Sequence, residues 1–259
     1  MNIIQSLILG LVEGITEFLP ISSTFHLIFT SKLMGIQATD FIKLFEVVIQ
    51  AGAILAVLFL YFRQWWQDRQ LVIKILVSFL PTAVIGFFLY KIIKTVFFES
   101  SYLMIVMFIA VGLVFLLIEY LVSQNKLLLN KSIQSLNYQT AIFVGLVQSL
   151  AVIPGVSRAG AVIVAMMGLG IKREEAAKYS FMLSVPTIFA ASAWDAWKMR
   201  NALTADTGQI YLLFIGFMMA FISAYFVVKW LITYLQNHSL KIFGWYRLVV
   251  GIIMLMIGS

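Results

Sequence analysis

The sequence predicts an all-α polytopic membrane protein, with six transmembrane helices and two re-entrant helical hairpins in an inverted-topology repeat. Three observations carry that prediction. The chain is 62% hydrophobic and only 11% charged over 259 residues, with a mean hydropathy of +1.01, whereas a soluble domain is nearer one quarter charged. Apolar runs of about 20 residues follow one another, each long enough to cross a bilayer as a helix. Finally, a broken apolar segment occurs twice, as LVEGITEFLPISSTFHLI at 11–28 and LVQSLAVIPGVSRAGAVI at 146–163. A β-barrel is excluded because its strands read as short alternating segments of about ten residues.

The spans are expected at 41–62, 71–91, 102–124, 176–197, 209–231 and 242–258. Polar connectors separate them: RQWWQDRQ at 63–70, KIIKTVFFESS at 91–101, SQNKLLLNKSIQSLN at 123–137, IKREEAAK at 171–178 and KMRNALTADTGQ at 198–209. Trp65, Trp66, Trp194, Trp197, Trp230 and Trp245 mostly sit near these ends, as interfacial anchors do. Residues 2–35 and 139–170 are apolar but interrupted at Leu19-Pro20-Ile21-Ser22-Ser23 and Pro154-Gly155-Val156-Ser157. Each half-segment is about 15–17 residues, short for a span. Both are therefore read as re-entrant hairpins, whose irregular backbone is tolerated at depth only around a protein-enclosed cavity. One hairpin plus three spans is an odd number of crossings. The single membrane domain 1–259 thus divides into a first half, 1–124, and an inverted second half, 139–259, whose breaks meet near a pseudo-two-fold axis.

The chain has no Cys, so neither a disulfide framework nor thiolate chemistry is available. The opening MNIIQSL lacks a basic region, and no cleaved signal is expected. The net charge of +7 fits flanking of membrane helices, with anionic lipid as a secondary use. The basic residues are spread over loops on both expected sides, so charge alone does not orient the chain. No nucleic-acid partner is expected.

Ionisable groups at membrane depth are costly and mark functional sites. Glu13 and Glu17 are four apart and share one helix face. They can ligate a hard divalent cation, or one of them can handle protons. Ser22, Ser23 and Thr24 open the second helix of the first hairpin. They are ordinary N-cap residues, yet the same helix start is an anion site. His26 lies one turn on and can accept a Ser proton or attack as the nucleophile. In the second copy, Gly155 permits close backbone approach to a ligand. Ser157 and Arg158 open the next helix, and Arg offers a fork matched to phosphate oxygens. Together these groups describe phosphoryl chemistry on an amphiphilic substrate with a lipid tail. Glu46 begins a span beside the first hairpin. Glu119 and Asp195 read as interfacial charges, and His238 as a solvated loop residue. No P-loop, HExxH or cysteine metal motif occurs.

EGITEFLPISSTFHLI resembles the Glu-xxx-Glu and Ser-Ser-Thr-x-His signature of bacterial undecaprenyl pyrophosphate phosphatases of the bacitracin-resistance type. PGVSRAGAVI is similar to that family's Pro-Gly-x-Ser-Arg segment. FEVVIQAGAILAV, YSFMLSVP and YRLVVGIIML resemble further landmarks in order, across essentially the whole chain. The resemblance implies a multi-pass enzyme of the bacterial inner membrane, its cavity facing outward, that releases the terminal phosphate of undecaprenyl pyrophosphate. It also implies a divalent cation (Mg²⁺ or Ca²⁺) and a homodimer. Residue by residue, Glu13 and Glu17 match the acidic pair. Ser22, Ser23 and His26 match the hydroxyl and His positions, and Ser157 and Arg158 the phosphate-binding segment. On that reading Glu17, Ser23, His26 and Arg158 are catalytic; Ser22, Thr24, Gly155, Ser157 and Arg158 bind substrate; Glu13 and Glu17 hold the cation. Three positions depart from the usual pattern. Phe25 stands in place of Gly, where its bulk is expected to narrow the site beside His26. Ala159 and Val162 stand in place of Ser and Thr. The rival readings are a polyprenyl-phosphate carrier or flippase without hydrolysis, and a phosphatase for other lipid phosphates.

Overall fold

The computed structural model describes residues 1–37, 39–97, 100–198 and 207–257. Most of the 198–209 connector, two residues of the 91–101 connector and the end of the last expected span therefore lie outside the described residues. Within them the chain forms ten α-helices: α1 (Ile3–Thr16), α2 (Ser23–Leu33), α3 (Asp40–Gln67), α4 (Arg69–Ile92), α5 (Ser101–Ser123), α6 (Tyr138–Gln148), α7 (Arg158–Gly168), α8 (Arg173–Lys198), α9 (Thr207–Asn237) and α10 (Lys241–Ile257).

The polar breaks supply the caps. Asn2 and Gln5 form a capping box on α1, and Asn137 and Thr140 form one on α6. Thr39, Asp68 and Ser100 accept from the backbone amides of Ile42, Leu71 and Leu103. Each side chain satisfies one of the donors that a helix start leaves open.

Four helices are long and apolar enough to cross a membrane: α3, α4, α5 and α9. Two of the six expected spans are weaker. α10 has only 17 residues. α8 has 26 but is centrally placed, packing on α3, α4, α7 and α9. Its N-terminal half meets protein and carries buried Ser180 and Ser184, whereas Phe189 and Trp197 of its C-terminal half are exposed. The outer surface is apolar, with Phe59, Phe62, Phe87, Phe88, Phe214 and Phe226 more than 60% exposed. A soluble monomer does not present apolar area on that scale, whereas lipid tails are as apolar as these side chains and accept them. The protein is a multi-pass helical membrane protein.

Small residues set the close approaches. Gly10 and Gly14 let α1 lie against α9, where a Cβ would strike the carbonyls of Gly216 and Ala220. Gly145 lets α6 lie against the Ser78 carbonyl of α4. At one end of the bundle Glu119, 2% exposed, accepts from Arg173 Nε at 2.7 Å and Nη2 at 2.6 Å, and from the Leu240 amide at 2.9 Å. It is therefore not the interfacial charge that its position near a span end suggested. It locks α5 to the start of α8 and to the α9–α10 turn.

Candidate active site

Two interruptions of helix build the site. At the first, α1 ends at Thr16, Glu17 caps it in helical conformation, and the chain turns through Pro20 before α2 begins at Ser23. At the second, α6 tightens into a 3₁₀ turn, Ser149–Val152, passes Pro154 and Gly155, and restarts at Arg158. Gly155 has φ +92°, and a Cβ there would collide with the Met104 carbonyl, so the position requires glycine. The N-cap serines are conformational twins: Ser22 has φ 68° and Ser157 φ 70°. Non-glycine residues in this region are uncommon and are held there by their surroundings.

The holding group is Arg247 of α10, whose side chain is fully buried. Its Nε donates to the Phe108 carbonyl at 2.8 Å and Nη1 to the Pro20 carbonyl at 3.0 Å. Its Nη2 donates to the Gly155 carbonyl and, at 3.4 Å, to that of Val156. One guanidinium thus ties both interruptions together and satisfies carbonyls that the broken helices leave open. Its central carbon also lies 4.5 Å from the centroid of the Phe108 ring.

A polar chain crosses between the two breaks. Arg158 Nη2 meets Glu17 Oε1 at 2.9 Å, and Ser23 Oγ donates to Glu17 Oε2. Arg158 Nη1 donates to the Ser180 carbonyl at 2.8 Å, while its buried Nε has no hydrogen-bond partner. Residues 141 apart in sequence therefore form one buried ion pair. Removing either member leaves an uncompensated charge at a cost of about 3–5 kcal/mol.

Glu13 is fully buried, and neither carboxylate oxygen has a hydrogen-bond partner. Glu17 and, from α3, Glu46 face it closely enough for like-charge repulsion, with Arg158 as the opposing cation. Glu13 thus faces two other carboxylates in a low-dielectric interior, where an ionised group is costly unless a cation compensates it. The orphaned Glu13 oxygens fit a hard divalent cation, which takes one or two carboxylates and completes its shell with water and phosphate oxygens. Among the described residues no cluster of three or more His, Cys, Asp or Glu is arranged around a common metal position.

The sequence-predicted residues converge, with different duties. His26 is half-buried; its Nδ1 lies 2.8 Å from the Ser22 carbonyl and its Nε2 2.7 Å from Tyr246 Oη. The Ser23 hydroxyl donates to Glu17, and His26, which the spacing allows either to accept a serine proton or to attack, meets Tyr246. Ser22 makes no capping hydrogen bond with its side chain, and Thr24 is half-buried beside it on α2. Ser157 does cap, accepting from the Gly160 amide at 3.2 Å. Phe25 is 1% exposed; it stacks on Phe108 with centroids 4.0 Å apart and lies 5.4 Å from the His26 ring. Ala159 and Val162 are buried as well, so the missing hydroxyls fall in packed interior. Sequence reasoning missed Tyr246 and Arg247. Arg247 was visible as a cation inside the apolar run YRLVVGIIML, by the same logic that singled out Arg158.

The fold and site define a class: a polytopic helical membrane protein whose buried ion pair joins two interrupted helices. The chain belongs to the family described as Bacitracin resistance protein BacA, whose model matches residues 6–253. It is 48% identical over 253 residues to an undecaprenyl-diphosphatase of Sulfurihydrogenibium sp. (strain YO3AOP1), covering 98% of each chain. It is 43% identical over 249 residues to an undecaprenyl-diphosphatase of Aquifex aeolicus (strain VF5), covering 96% of each. A Persephonella marina protein of the same name is 44% identical over 256 residues, with 99% of each covered.

Proposed function

We propose that this protein hydrolyses undecaprenyl diphosphate to undecaprenyl phosphate and inorganic phosphate at the site between the two broken helices. The observation that carries the reading is the Ser23–Glu17–Arg158 chain, which puts a hydroxyl, its proton acceptor and an anion-binding guanidinium together at a helix start. Ser23 Oγ attacks the terminal phosphorus and gives its proton to Glu17. The bond to the bridging oxygen breaks, and undecaprenyl phosphate leaves with the electron pair. Water then attacks the phosphoseryl phosphorus, losing a proton to His26 Nε2; the bond from phosphorus to Ser23 Oγ breaks, Ser23 recovers its proton from Glu17, and His26 returns its proton to the departing phosphate. Arg158 and the open amides at the start of α2 neutralise the charge that develops on phosphate. Ser22, Thr24 and the second break, Gly155 to Ser157, line the anion. A divalent cation held by Glu13 and Glu17, when bound, supplies Lewis-acid neutralisation of the pyrophosphate. Nucleophilic attack by His26 itself is the second reading, favoured by the position of its Nε2; an acid-labile phosphohistidine in place of phosphoserine separates the two.

The same proposal includes six spans, with α8 and α10 completing the four long helices, and α1–α2 and α6–α7 as re-entrant hairpins in inverted halves. Helix pairing supports it. Exchanging α1–α5 with α6–α10 carries α1·α9 onto α6·α4, α3·α9 onto α8·α4 and α1·α2 onto α6·α7, while α3·α8 and α5·α10 map onto themselves. Orientation in the bacterial inner membrane follows from the basic end. The Lys131–Ile171 bridge, the Glu119 lock and the Lys178–Tyr61 contact bring the loops before α4, α6, α8 and α10 to one end. Lys126, Lys131, Lys172, Arg173 and Lys241 gather there, and such loops face the cytoplasm. The α1–α2 hairpin then opens outward. A homodimer in the membrane belongs to the same reading, and cross-linking in native membranes tests it.

The test is phosphate release from undecaprenyl diphosphate by purified protein in detergent, with Mg²⁺, with Ca²⁺ and with chelator, beside Glu17→Ala. Cation-dependent release, lost in the variant, is expected. Folded protein that binds the lipid without releasing phosphate overturns hydrolysis in favour of a carrier.

A further inference from the structure

His26 is held at both ring nitrogens. Nδ1 lies 2.8 Å from the Ser22 carbonyl, and a carbonyl can only accept, so Nδ1 carries the proton. In the neutral imidazole Nε2 is then the acceptor, and its partner at 2.7 Å is the Tyr246 hydroxyl. The two rings lie nearly parallel, 13° apart, with centroids separated by 5.8 Å. Tyr246 precedes Arg247, which is anchored through the carbonyls of both breaks; the tyrosine is therefore delivered to His26 from a fixed point. Phe25 and Phe108 close the other flank of the imidazole, at 5.4 and 6.0 Å. Tyr246 itself is 39% exposed, at the edge of the packed interior. The charged group that faces His26 is Arg247, from the same helix as Tyr246.

We propose that Tyr246 is a positioning residue for the reaction. Its hydroxyl fixes His26 as the Nδ1–H tautomer and keeps the Nε2 lone pair aimed and occupied until substrate or water takes the hydroxyl's place. The inference rests on the phosphatase reading, but its contact is measurable without turnover. The hydrogen bond at Nε2 orients the imidazole, much as an outer partner orients a ligating or catalytic histidine.

The test is Tyr246→Phe, which keeps the ring and removes the hydroxyl. In steady-state kinetics kcat falls about tenfold while KM changes less than about twofold, the pattern of a lost transition-state alignment. In a His26→Ala background the same change has no further effect on the residual rate, as expected for groups that act as a unit. Independently of activity, diethyl pyrocarbonate acylates unprotonated imidazole nitrogen, and the chain has only 2 His. Loss of one hydrogen bond should raise the acylation rate of His26 about 3- to 10-fold, with His238 unchanged as the internal reference. An unchanged kcat, a loss confined to KM, a full loss in the His26→Ala background or an unchanged His26 acylation rate overturns the proposal. If the native protein releases no phosphate, the phosphatase reading fails on its own, and the acylation comparison still decides whether Tyr246 guards Nε2.

Discussion

At the first helix break Ser22 adopts φ 68° and caps nothing, whereas at the second Ser157 adopts φ 70° and accepts from the Gly160 amide. The α1 residue Glu13 has two buried oxygens without hydrogen-bond partners. Its counterpart in the sequence repeat, Gln148, is a neutral amide whose Nε2 donates to Thr82 at 2.8 Å and to Thr187 at 3.2 Å. The backbone device is the same in both places, and the side chains divide the labour. The second copy holds its amide nitrogen internally, keeps Gln148 Oε1 and Arg158 Nε buried without a hydrogen-bond partner, and contributes one arginine across the gap. The first keeps its donors and carboxylates open, which costs stability and leaves them available to a ligand.

That contrast can be broken most severely at the bridge between the copies. Ser23→Ala and Arg158→Ala should each lower kcat/KM by about 10³-fold or more, since one removes the proposed nucleophile and the other the charge that opposes the pyrophosphate; phosphate release assays on purified variants check this. A surviving rate within about tenfold for Arg158→Ala excludes it as the phosphate clamp. Glu13→Gln makes the first break resemble the second. It should cost about 10²-fold in rate and weaken the response to added Mg²⁺ or Ca²⁺, read from cation titrations. Arg247→Met strands carbonyls of both breaks and should lower stability by about 3–5 kcal/mol, measured as a drop in the unfolding temperature in detergent. The smallest effects separate the two serines. Ser157→Ala should cost about 1 kcal/mol of stability through its lost cap, while Ser22→Ala, which caps nothing, should leave stability within about 0.5 kcal/mol and act on the rate alone. Equal behaviour of the two would show that the breaks are not specialised.

Much of the site is legible in the amino-acid sequence. Glu13, Glu17, Ser22, Ser23, His26, Ser157 and Arg158 stand out because polar groups are conspicuous in an apolar chain, and spacing places the first pair on one helix face. The connections among them are not legible there. Spacing leaves His26 open as proton acceptor or nucleophile; the structure adds that α2 turns Ser23 toward Glu17 at the end of the preceding helix and His26 toward Tyr246 on α10, 220 residues away. Glu119 reads as interfacial because its partners, Arg173 and the Leu240 amide, come from distant turns.

By itself the sequence determined the class of protein, the positions of the two breaks and the residue types that carry chemistry. Hydropathy, proline and N-cap chemistry act locally, over one helix or one turn, and a single chain records them directly. Only the tertiary structure decided that Arg247 fastens both breaks, that Phe25 stacks on Phe108, that the N-terminal half of α8 is buried against its neighbours, and that Tyr246 meets the histidine. Each depends on which distant helix packs alongside, and hydrogen-bond partners and burial are properties of that packing, not of the neighbouring residues in sequence.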